Sequence, residues 1–117
     1  MKLDKFSQDD FIKASNRLVR SLTRGKTTSS QPKAILLGGQ SGAGKTTIHR
    51  IKQREFQGNI IIIDGDSYRS FHPNYLALQE KYGKDSVDYT KVFAGQMVEY
   101  LVDELSKQGY HLLIEGT

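Results

Sequence analysis

The chain of 117 residues contains no cysteine, no tryptophan and only two prolines. Without cysteine it can form neither a disulfide nor a thiolate metal site, and that composition fits a reducing, cytoplasmic compartment. No apolar run approaches the roughly 20 residues of a membrane-spanning helix. The opening Met1-Lys2-Leu3-Asp4-Lys5 has no apolar core behind it and does not read as a signal peptide. Hydrophobic residues make up 37% of the chain and mean hydropathy is −0.53, which points to one soluble globular domain. The net charge of +4 is spread over Arg17, Arg20, Arg24, Lys52, Arg54, Lys81, Lys84 and Lys91. No basic run is interleaved with aromatics, so these residues read as solvated helix faces rather than a nucleic-acid groove.

What is present is concentrated in one stretch, Gly38-Gly39-Gln40-Ser41-Gly42-Ala43-Gly44-Lys45-Thr46-Thr47. It contains Gly-x-x-x-x-Gly-Lys-Thr, the phosphate-binding P-loop. The apolar tetrad Ala34-Ile35-Leu36-Leu37 precedes it as a strand. A helix is expected from about Gly44 to Phe56, ended by Gly58. Backbone N–H groups from Gly39 through Gly44 can surround the phosphates of ATP, and the helix N-terminus favours negative charge there. Lys45 supplies a point charge to the β- and γ-phosphates, and the Thr46 hydroxyl can hold Mg²⁺.

Around this loop, strands alternate with helices. Ser7-Gln8-Asp9-Asp10 reads as a capping box for a first helix ended by Gly25. Lys26 to Pro32 is a polar linker. Asn59-Ile60-Ile61-Ile62-Ile63-Asp64 is apolar without alternation, the mark of a parallel strand buried on both faces. Gly65 to Asn74 reads as a loop, Tyr75 to Tyr82 as a short helix and about Asp88 to Gln108 as a long one. In the long helix Val92, Phe93, Met97, Leu101 and Leu105 share a face, and Gly109 stops it. Tyr110 to Glu115 is a third strand. The expected fold class is α/β, a P-loop NTPase-type parallel sheet flanked by helices and truncated to about three strands.

Ligands of such sheets sit outside the carboxyl ends of the strands. There the first strand delivers the P-loop, the second Asp64-Gly65-Asp66-Ser67 and the third Glu115-Gly116-Thr117. Asp64 either reaches Mg²⁺ through water or caps the loop. Asp66, beyond a glycine that lets the chain turn, is the candidate base for an acceptor hydroxyl; the plainer reading is an aspartate in an Asx-turn. Glu115 either orients metal-bound water or a substrate group, or merely faces solvent at a strand end. By periodicity Glu99 is a solvated charge on the long helix. No two of His49, His72 and His111 have metal-ligand spacing. Tyr68 and Tyr75 read as packing residues.

Together these pieces resemble the zeta toxin family of bacterial toxin–antitoxin systems, its PezT-like branch above all. Leu36 to Thr47, Ile63-Asp64-Gly65-Asp66-Ser67, His72-Pro73, Leu113 to Thr117 and Ser21 to Lys26 carry the resemblance, which covers essentially the whole chain. It implies a kinase that moves the γ-phosphate of ATP to the 3′-hydroxyl of UDP-N-acetylglucosamine and so poisons an early step of cell-wall synthesis. By the same resemblance Lys45 and Thr46 match ATP and Mg²⁺ contacts, Asp66 the catalytic base, Glu99 and Thr117 substrate contacts, and Glu115 an acidic residue beside the site. A cognate antitoxin that masks the nucleotide site is implied as partner.

Family members continue well past Glu-Gly-Thr and supply arginines there, whereas the last arginine here is Arg69. Transition-state arginines contribute on the order of 10³-fold or more, so the chain reads as the N-terminal part of the kinase, with impaired activity. Strand one would become an open edge. Two other readings stand beside this one. The chain could be a non-catalytic module binding nucleotide or antitoxin, or another P-loop small-molecule kinase of the adenylylsulfate-kinase type, which Asp64-Gly65-Asp66 also resembles.

Overall fold

A computed structural model describes residues 3–38 and 42–115. Helix α1 (Gln8–Thr23) starts where the capping box places it, with the Ser7 hydroxyl accepting from the Asp10 N–H at 3.0 Å. Strand β1 (Ala34–Leu37) leads to α2 (Gly42–Glu55), and β2 (Ile61–Asp64) follows. Helices α3 (Tyr75–Tyr82) and α4 (Val87–Gln108) precede β3 (Leu112–Glu115). Gly109 closes α4 in the left-handed region at φ 99°, its N–H capping the Leu105 and Ser106 carbonyls. A Cβ there would lie 3.0 Å from the Ser29 carbonyl oxygen.

The sheet is parallel, in the order β1-β3-β2. Over β2 and β3 both faces are covered, as their unbroken apolar runs require, whereas β1 is buried only at Leu37. Ile61, Ile63, Leu112 and Ile114 pack with Phe11, Leu18, Phe93, Met97, Leu101 and Leu105 on the α1 and α4 side. Ile60, Leu113 and Leu37 pack with Ile35, Ile48, Phe56 and Ile62 on the α2 side. Burying a side chain of this size contributes about 1.5–3 kcal/mol, so the larger cluster supplies most of the hold.

Three expectations are corrected. Gly65 to Asn74 is not an irregular loop: Gly65–Phe71 winds into a 3-10 helix. The Asp64 carboxylate starts it, Oδ1 accepting from the Asp66 N–H at 3.2 Å and Oδ2 from the Ser67 hydroxyl at 3.0 Å. Tyr68 and Phe71, three apart and therefore eclipsed, pack on the larger core. Val92 does not share the buried face of α4. It is 58% exposed, because the buried seam runs through Thr90, Phe93, Ala94, Met97, Leu101 and Leu105 and position 92 falls about 100° away from Phe93. The second and third strands, Ile61–Asp64 and Leu112–Glu115, are also shorter than expected from Asn59 and Tyr110. Asn59 is taken up by the Thr27 N–H, and His111 Nδ1 accepts from the Lys33 N–H at 3.0 Å.

Candidate functional site

The strand register levels three chain ends. Leu37 pairs with Glu115, and Asp64 pairs with Glu115 from the other side. One row across the sheet therefore carries the approach to the phosphate loop, the Glu115 carboxylate and the turn that holds Asp66. The row is set by the parallel pairing itself, since each strand ends where its apolar run meets a glycine or an acid.

Helix α2 opens at Gly42, earlier than the expected Gly44, so Gly42, Ala43, Gly44 and Lys45 form its first turn. No acidic residue stands in that turn, which leaves the positive end of the helix dipole uncompensated from within. Thr46 follows, exposed. Gly39, Gln40, Ser41 and Thr117 lie outside the described residues. The donor set fits a nucleotide with its divalent ion: helix N–H groups for phosphate, a threonine hydroxyl for the ion. Among the described residues no group of three His, Asp or Glu side chains could hold a metal ion.

The acidic residues divide their work. Asp64 caps the 3-10 helix with both oxygens, one of the two roles open to it. Asp66 is exposed, and among the described residues its carboxylate has no hydrogen-bond partner; its backbone carbonyl accepts from Arg69 Nε at 3.3 Å. Gly65 between them is closely approached by α4: a Cβ would stand 3.0 Å from Val98 Cγ2, so that side chain would have to give. Glu99, next to Val98, is exposed on α4. It is brought to this side of the molecule but makes no described contact with Asp66.

Glu115 departs from the solvent-facing alternative. Its side chain is only 7% exposed, and Oε1 lies at ion-pair distance from Nε2 of His49 on α2. Sequence reasoning weighs His49 only as a metal ligand and sets that role aside. The one hint was its place four residues after Lys45, which puts both on one helix face; nothing in the sequence joined it to Glu115.

Beneath the rim, Tyr68 is 3% exposed and its hydroxyl has no hydrogen-bond partner among the described residues. Burial pushes its pKa up to about 12; the Asp64 main chain lowers it and the Asp64 carboxylate raises it. It is a packing residue, as read from the sequence. His72 is buried too, with Nε2 against the Asp4 carbonyl and Nδ1 accepting from the Asn74 N–H, each at 3.0 Å. Two surface grooves, one between α1 and α4 and one beside Arg24 and Lys26, lie away from the strand ends. Among the described residues no helix is long and apolar enough to cross a membrane.

Comparison with known proteins adds the following. A family model described as zeta toxin matches residues 18–117. Toxin PezT of Streptococcus pneumoniae serotype 4 is 68% identical over 117 residues, covering all of this chain and 46% of that protein. Toxin zeta of Streptococcus pyogenes is 40% identical over 112 residues, covering 96% of this chain and 39% of that protein. A solved structure reported with the PezAT chromosomal toxin–antitoxin system of Streptococcus pneumoniae superposes with a TM-score of 0.96 at 69% identity. It covers all of this chain, which spans 48% of that one. The chain thus spans less than half the length of the curated relatives it matches.

Proposed function

Because the chain belongs to the zeta toxin family, we propose that it forms the nucleotide-binding part of a toxin kinase. That kinase uses ATP and Mg²⁺ to phosphorylate the 3′-hydroxyl of UDP-N-acetylglucosamine. The observation that carries this reading is the level row Leu37, Glu115 and Asp64, with α2 opening directly beyond it. In support of the reading, it sets the opening of α2 near the Glu115 and Asp64 carboxylates, and phosphoryl transfer to a hydroxyl needs such groups close together.

In this reading Gly39 through Gly44 present N–H groups to the phosphates, Lys45 neutralises charge on the β- and γ-phosphates, and Thr46 supplies its hydroxyl to Mg²⁺. An ion held there would supply positive charge against the phosphates during transfer. Asp66, exposed at the rim, takes the proton of the 3′-hydroxyl as that oxygen attacks the γ-phosphorus. Glu99 and Thr117 hold the acceptor, and Glu115 stays at the rim beside the phosphate loop. The partner is a cognate antitoxin that covers the nucleotide site, and the compartment is the cytoplasm.

The test is a transfer assay with [γ-³²P]ATP, Mg²⁺ and UDP-N-acetylglucosamine, using the 117-residue chain and a longer toxin carrying it. Label on the sugar nucleotide that disappears with Lys45→Ala and Asp66→Asn supports the reading. Nucleotide binding without transfer in both proteins leaves a binding module instead. Transfer to adenylylsulfate in place of the sugar nucleotide overturns the acceptor.

A further inference from the structure

Glu115 is the rim carboxylate that the fold withdraws from water. Its side chain is 7% exposed, whereas Asp66 is exposed and both Asp64 oxygens are occupied by the cap. A carboxylate buried this far is tolerated only with a compensating donor. His49 is that donor: Nε2 lies at ion-pair distance from Glu115 Oε1, and neither atom has another hydrogen-bond partner among the described residues. For the contact to attract, Nε2 must carry the proton.

The placement of His49 gives the pair a direction. It stands three residues after Thr46 and four after Lys45 on α2, spacings that put side chains on one helix face. The ring thereby joins the helix that opens at the phosphate loop to the end of the central strand. Glu115 itself sits between Leu37 and Asp64 in the level row. Without its partner, the Glu115 side chain has several staggered rotamers open to it.

Resting on the nucleotide-binding reading above, we propose that His49 is a positioning residue. It fixes the Glu115 carboxylate where that group can accept a hydrogen bond from water on the divalent ion that arrives with the nucleotide. His49 touches neither nucleotide nor acceptor and acts only through Glu115. Asp64 already accepts from the 3-10 helix through both oxygens, whereas His49 is the donor the structure sets against Glu115. Partners of this kind, one shell removed from an ion, change its affinity by about 10–100-fold when lost.

The experiment titrates the chain with N-methylanthraniloyl-ADP, with and without Mg²⁺, and follows the imidazole nitrogens by ¹⁵N NMR, assigned by substitution of each histidine in turn. The expected result is that Mg²⁺ tightens binding in the unsubstituted chain. His49→Ala and Glu115→Gln should each cut that Mg²⁺-dependent gain about tenfold, the double variant no more than either, with Mg²⁺-free affinity unchanged. His49→Gln, which returns an N–H near the Nε2 position, should recover most of it. The His49 Nε2 resonance should be protonated and should shift on Glu115→Gln. A full Mg²⁺-dependent gain in His49→Ala, or an equal fall with and without Mg²⁺, overturns the positioning role while leaving nucleotide binding intact. Should His49→Ala not fold, a His49 resonance indifferent to Glu115→Gln, or no recovery in His49→Gln, overturns it equally. No binding of the probe by the unsubstituted chain overturns the nucleotide reading and this role with it.

Discussion

Gly65 and Val98 approach closely: a Cβ on Gly65 would lie 3.0 Å from Val98 Cγ2, so that side chain would have to give. This contact seats the Asp64–Asp66 turn on α4, the helix that also carries Glu99. The glycine at the second strand's end is therefore required by a neighbour rather than by its own backbone angles. It fixes how far the candidate base stands from the long helix.

Gly65→Ala is expected to destabilise the chain by about 1–3 kcal/mol, the usual cost of overpacking a filled site. The β-branched Val98 side chain is stiff and gives little. Val98→Ala should absorb much of that cost, so the two substitutions combined should be less harmful than their sum. Urea denaturation of the four proteins measures the coupling, and strict additivity would show that the contact does not set the turn.

Tyr68 gives an alkaline limit to stability. Its pKa in the fold is pushed up to about 12 from the ordinary 10.0, with burial the leading cause. The neutral phenol is therefore favoured by folding. The resulting stability is fully present below pH 10 and is lost as pH rises toward 12, at roughly 1.4 kcal/mol per pH unit and so on the order of 3 kcal/mol in all. Tyr68→Phe should flatten this slope in denaturation midpoints taken from pH 9 to 12. At pH 7 it should be near neutral or slightly stabilising, because it removes a buried hydroxyl that lacks a partner. An unchanged slope in Tyr68→Phe would assign the alkaline loss to other groups.

The chain's N-terminal segment is pinned by His72 and Asn74. His72 Nε2 donates to the Asp4 carbonyl, Nδ1 accepts from the Asn74 N–H, and Asn74 Nδ2 donates to the Leu3 carbonyl at 2.9 Å. The ring also packs edge-on against Phe6 and Phe93. His72→Phe keeps an aromatic ring there but orphans both polar partners, at about 1–3 kcal/mol each if they stay buried. Hydrogen exchange should then speed up at the Asn74 amide, and trypsin should cut more readily at Lys5. Unaltered exchange at Asn74 would mean that packing alone holds the segment.

The parts legible in the sequence are those whose signal is local. Ala34 to Leu37 and the helix over Tyr75 to Tyr82 keep their expected bounds because apolar runs and flanking glycines or polar residues define them within a few residues. Gly65 to Phe71 was read as loop because glycine, aspartate and serine favour irregular backbone. Its order comes from a side-chain cap and from burial against α4, neither of which has a periodic signature. Val92 was misplaced because apolarity alone does not separate the buried seam from its flank. The His49–Glu115 pair depends on α2 lying beside the end of β3, a tertiary fact that no spacing encodes. The expectation that Lys45, Thr46, Asp66 and Glu115 gather at one rim rests on the rule that α/β sheets bind at strand carboxyl ends, and the register sets Asp64 level with Glu115.

Strand β1 lies at one edge of the described sheet, paired to β3 alone. Its Leu36 is 78% exposed, although its register partner Ile114 is 8% exposed on the same face. The helical layer that covers Ile114 rests on β2 and β3 and leaves Leu36 in water. An edge with unpaired backbone groups and a bare leucine invites another strand. Leu36→Lys is therefore expected to suppress concentration-dependent association of this chain in sedimentation velocity, since a lysine on an edge strand disfavours pairing. It should move the denaturation free energy by no more than about 0.5 kcal/mol, as for other exposed positions. Leu37→Ala, at a side chain buried on the α2 face, should instead cost about 2–5 kcal/mol, because it leaves a cavity in the core. If Leu36→Lys associates as the unsubstituted chain does, the adhesive surface lies elsewhere, with exposed Leu76 and Ile51 the next positions to substitute.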